Sequence, residues 1–275
     1  MAKPDPVVAC SGRASAAPSD WSFRERDSQG KAEQCCSGIC RNPESSPQIT
    51  VILLAIDTAF GHLGYCLSHD GEVLASHFAR SRRSNSKLLL PTLDLLLNGI
   101  DLQKADLSAI IVNQGPGSYT GVRIGLSFAK TVAQVCGIPL VPIPSLDLLA
   151  AQVDGVPEPF EVLLNCTRHE LFRARYECKA GTPVRLGDIK HVRDGAAVLS
   201  HLTGPALLHR LSTNRNAQLP EPKNPVYHNR QRSSFPDPAL LNQVGAMLLS
   251  QGEIPDFDHV HPLYVKQEVT NSVPR

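Results

Sequence analysis

The residues best placed to do chemistry stand in one run, Gly115-Pro116-Gly117-Ser118-Tyr119-Thr120-Gly121-Val122-Arg123-Ile124-Gly125. The run joins an apolar, strand-like stretch to a helix-like one. Its backbone N–H groups would therefore point outward with the positive end of a helix dipole. Such a turn can hold a phosphate or carboxylate, with Gly115, Gly117 and Ser118 supplying donors and Arg123 adding a charge from the first helical turn. The same glycines also suit a purely structural role, making the turn and letting segments approach closely. No Gly-Lys-Ser/Thr follows, so this is not a Walker loop. Asp57, followed by Thr58 and Gly61, is the one carboxylate placed like a magnesium or phosphate-site residue, in a setting that resembles the first phosphate loop of actin-like ATPases. Capping a turn is the other role open to it. His259-x-His261 is a short pair in a coil-like segment, and no His-x-x-x-His occurs, which argues against a zinc or iron enzyme. No Gly-x-Ser-x-Gly nucleophile elbow is present either.

The elements flanking this run carry a second signal. In the helix after it, Gly121, Gly125, Ala129 and Ala133 recur every four residues and share one stripe. Small residues there permit close approach of another helix or of the chain's own sheet. The preceding helix, Ser86 to Leu97, is leucine-rich almost all round, and one lobe can hardly cover every face of it. Leu89, Leu93 and Leu96, with the small-residue stripe, are therefore the candidate partner interface.

Around these motifs the elements follow an α/β order. Ile49 to Ile56 is a continuous apolar run, suited to a strand buried on both faces. His62–His69 and Gly71–Ala79 make two more strands around an Asp70-Gly71 turn. Ser108–Asn113 is a fourth strand and Val122–Cys136 a helix ended by Gly137. Pro139–Pro144 is a fifth strand, after which Ser145 caps a helix through Val153. A hairpin followed by βαβα elements fits a mixed sheet of the ribonuclease H-like kind. Further on, Phe160–Asn165 and Leu171–Cys178 read as strands, and Asp194–Leu202 and Pro238–Gln251 as helices. Residues 214–237, rich in Pro, Asn, Arg and Ser, read as a long loop. The expected organisation is a leader at 1–48, a first lobe at 49–154 and a second lobe at 155–275.

Composition bounds the partners. The 275 residues carry 27 Lys+Arg against 26 Asp+Glu, so no overall basic field favours nucleic acid. Hydrophobic residues make up 42%, enough for a core, and no run approaches the ~18 apolar residues of a membrane span. Residues 1–48 are dominated by Ser, Pro, Gly and balanced charges, and read as a disordered leader without an assigned role. Of eight cysteines, Cys35-Cys36-x3-Cys40 lacks the paired spacing of a zinc site, and Cys66 and Cys136 lie in apolar runs as small hydrophobes.

Leu54-Ala-Ile-Asp57-Thr58, Asn85-Ser-Lys-Leu-Leu-Leu-Pro91, the glycine run and Gly137-Ile-Pro-Leu-Val-Pro together resemble the TsaB family, part of the glycoprotease-like (Gcp-like, M22) group. The resemblance covers residues 50–153. Beyond them, only Glu161–Phe172 and Pro262-Leu-Tyr-Val-Lys266 echo it. It implies an actin-like (ASKHA) fold of two ribonuclease H-like lobes, the second reduced. It also implies a cytoplasmic, non-catalytic subunit in the formation of N6-threonylcarbamoyladenosine in tRNA, docking through first-lobe helices on a TsaD-like catalytic paralogue. A TsaE-like ATPase joins that complex, tRNA is met through it, and a homodimer is a further arrangement. On this reading the chain holds no cofactor alone, and ATP and a metal ion belong to the partner subunits. Asn85-Ser86-Lys87 stands where the family has His-Ser-Glu, Asn165 where it has Asp, and Phe172 where it has Tyr. The competing class is an ATP-dependent phosphotransferase of the same superfold, with Asp57 on magnesium and the glycine run on phosphate. The older glycoprotease label finds neither a metal site nor an elbow here.

Overall fold

The apolar run at the start of the first lobe becomes strand β1 (Ile52–Asp57), and all of its residues are buried. The computed structural model describes residues 50–80, 86–153, 159–167, 169–210, 235–252, 254–263 and 265. The leader with its four cysteines, Asn85 and the loop expected at 214–237, as far as 234, lie outside the described residues.

β2 (His62–His69) and β3 (Glu72–Arg80) continue from β1 as antiparallel hairpins. Asp70 and Gly71 both hold positive φ, 48° and 84°, at the tight turn that their types announced. Helix α1 (Ser86–Asn98) leads to β4 (Ala109–Gly115), which lies parallel to β1. Helix α2 (Tyr119–Cys136) leads to β5 (Leu140–Pro144), parallel to β4. Gly137 ends α2 in the left-handed conformation, φ 67°, where its N–H meets the last carbonyls of the helix. The sheet order is β3-β2-β1-β4-β5.

A short helix α3 (Ser145–Ala150) crosses to the second sheet. Ser145 was expected to cap it, but Pro144 holds that position. The Ser145 hydroxyl donates instead to Asn113 Oδ1 at 2.7 Å. β6 (Phe160–Asn165), β7 (Leu171–Lys179) and β8 (Thr182–Val192) form two antiparallel pairs. After α4 (Gly195–Ser200), β9 (Ala206–Arg210) runs parallel to β6. The order β8-β7-β6-β9 repeats the first four positions of the first sheet and lacks the fifth strand. The fold is thus the α/β, actin-like arrangement of two ribonuclease H-like units, the second reduced.

One face of the first sheet packs under α1 and α2, around Leu54, Ile56, Leu63, Tyr65, Leu93 and Ala129. Its other face shares a core with the second sheet, from Leu53, Ala55 and Ile111 to Val162, Leu164 and Tyr176. Helix α5 (Pro238–Gln251) belongs to the second half of the chain yet packs on this face of the first sheet. Asn242 fixes it there: its amide donates to the carbonyls of Leu53 and Cys66, and its Oδ1 accepts from the Ser68 hydroxyl at 2.7 Å. Among the described residues, α4 covers the second sheet's outer face over Leu163 and Leu171.

Candidate functional site

The end of β1 and the start of α2 fit into one another. Gly117, Gly121 and Gly125, four residues apart, form a groove that receives Thr58 and Ala59. A Cβ on Gly117 would sit 2.5 Å from Ala59 O, one on Gly121 2.1 Å from Thr58 O, and one on Gly125 2.1 Å from Thr58 Oγ1. Each distance is far inside van der Waals contact, so the missing side chains are what admit the loop. Hydrogen bonds close the joint. The Thr58 hydroxyl donates to Gly121 O at 2.7 Å, and the Ser118 N–H donates to Ala59 O at 2.7 Å. Ser118 also caps α2, its Oγ accepting the Gly121 N–H at 3.3 Å. Asn113, which sequence reasoning passed over, organises the turn before it: its Oδ1 accepts both the Gly115 N–H at 2.9 Å and the Ser145 hydroxyl. A lone Asn ending an apolar strand was the available signal.

Most of the candidate anion-site residues already have partners inside the protein. Gly115 is buried, and its N–H and that of Ser118 are already used inside the protein. Arg123 is exposed and lies over the Tyr119 ring, 3.9 Å from its centroid. Asp57 is 1% exposed. Its Oδ1 accepts the Ala59 N–H at 2.8 Å, the turn-capping role, and its Oδ2 faces His62 Nε2 at 3.5 Å. His209, on β9, closes this centre from the second sheet with Phe60 and Phe235. Burial lowers the His209 pKa to about 4, the nearby Asp57 pulling it up and His62 pushing it further down. Neither His62 nor His209 was singled out from sequence, because long-range sheet pairing brings them together. Among the described residues no group of three His, Cys, Asp or Glu side chains could hold a metal ion.

The candidate interface residues mostly face inward. Leu89, Leu93, Gly121, Gly125, Ala129 and Ala133 are buried in their own lobe, and Leu96 is half-buried against the same core. The small-residue stripe serves packing of α2 on its own sheet and loop. The leucine helix does have uncovered faces, but they are those of Leu88, Leu90 and Leu95, which are 45%, 48% and 71% exposed. On the adjoining α2, Val135 is 80% exposed, and Ile124 and Phe128 are half-buried. Leu88 and Leu95 lie two turns apart on one side of α1.

Two of the positions that depart from the resembled pattern, Asn165 and Phe172, have structural work here. The Asn165 amide donates to the carbonyls of Thr167 and Glu170, fixing the β6–β7 turn. The Phe172 ring packs against that of His191, centroids 4.9 Å apart and the planes tilted by 35°. Lys87 is exposed on the first turn of α1. Burial pushes the Cys66 and Cys166 thiols up to about 12, so both stay protonated at neutral pH.

Residues 72–246 match the family described as TsaD, tRNA N6-adenosine threonylcarbamoyltransferase. The chain belongs to this family. The tRNA threonylcarbamoyladenosine biosynthesis protein TsaB of Bacillus subtilis is 38% identical over 132 residues, 47% of this chain and 56% of that protein. TsaB of Escherichia coli is 35% identical over 98 residues, 36% of this chain and 42% of the relative. The chain spans about half the length of the curated relatives it matches. YeaZ from Pseudomonas aeruginosa has the same fold, with a TM-score of 0.62 at 21% identity over 78% of this chain and all of that one. No helix among the described residues is long and apolar enough to cross a membrane.

Proposed function

We propose that this chain acts in the formation of N6-threonylcarbamoyladenosine in tRNA, as a non-catalytic subunit that docks on a TsaD-like catalytic paralogue. The relatives named TsaB support the pathway. The observation that carries the docking role is the exposure of Leu88 and Leu95 on α1 and of Val135 on the neighbouring α2, large apolar side chains left in water. A paralogue of the same fold offers a matching pair of helices, and a TsaE-like ATPase and tRNA join through that heterodimer. The same surface would serve a homodimer when the paralogue is absent. The phosphotransferase reading gains no support, since Asp57 faces His62 and its own turn.

Titration of the TsaD-like paralogue by calorimetry tests this. Leu95→Glu combined with Val135→Glu should abolish heterodimer formation. Both sites are exposed, so stability should stay within about 0.5 kcal/mol of the parent chain. Unchanged affinity in the folded double variant would refute the assignment.

A further inference from the structure

We draw no further inference here: the strongest candidate, the edge strand β3 of the first sheet with Val73, Leu74 and Phe78 exposed along it, carries nothing, because nothing in the structure shows what covers it.

Discussion

Gly121 shows how one missing side chain can decide a joint between elements. Replacing a helix-interior glycine with alanine ordinarily stabilises by about 1 kcal/mol. Here the new Cβ would sit 2.1 Å from the Thr58 carbonyl, backbone that cannot turn away, and overpacking of that kind costs about 3 kcal/mol or more. The clash wins, so Gly121→Ala should lose about 2 kcal/mol in urea denaturation. Gly204→Ala, which meets nothing within 4 Å, should be close to neutral. For the same reason a charged residue at Gly121 or Gly125 tests the fold and not the interface. His209 offers a second check. Its folded pKa lies near 4, below the ordinary 6.5, so the unfolded chain binds the extra proton first. The neutral ring's contribution is complete above about pH 6.5 and falls away as the pH drops toward 4, to a total of roughly 3 kcal/mol. His209→Gln should flatten that part of the stability profile relative to the parent. Equal slopes for both chains would contradict the burial argument.

Among the elements, those with self-contained signals were legible. β1 follows from an unbroken apolar run, the β2–β3 turn from Asp70-Gly71, the end of α2 from Gly137, and α5 from Pro238 to Gln251. β8 was missed because it is largely exposed and carries Pro183 and Gly187, so its hydrophobic pattern is weak, although Ala180-Gly181 made the hairpin turn before it. β9 is only five residues long and pairs with a strand distant in sequence. The inward face of α1 was illegible for a different reason. Leu88, Leu89 and Leu90 are consecutive, so periodicity cannot say which meets the core, and only packing on β2 selects Leu89, Leu93 and Leu97. The glycine run was legible as a turn entering a helix, but the loop that fills its groove could be identified only in three dimensions. Asn242 makes the position of α5 testable. Its amide and carbonyl are all buried and bonded to the first sheet, so Asn242→Leu should lose 2 kcal/mol or more, the rough cost of leaving the Ser68 hydroxyl and two carbonyls without that partner.

As a whole the chain keeps a complete first sheet and a reduced second one, pinned together by a core that runs between them and by α5 crossing back. What that frame holds outward is α1 and α2 with their uncovered leucines and valine. The proposed role therefore rests on assembly, with the chemistry placed in the partner. The most direct test is a reconstituted reaction containing the TsaD-like paralogue, the TsaE-like ATPase, a threonylcarbamoyl-adenylate source and tRNA, with the digested tRNA analysed by mass spectrometry. Threonylcarbamoyladenosine should form when the parent chain is added and drop to the level seen without it when the Leu95→Glu, Val135→Glu chain is added. Equal product with the parent chain, the double variant and no chain at all would contradict the account.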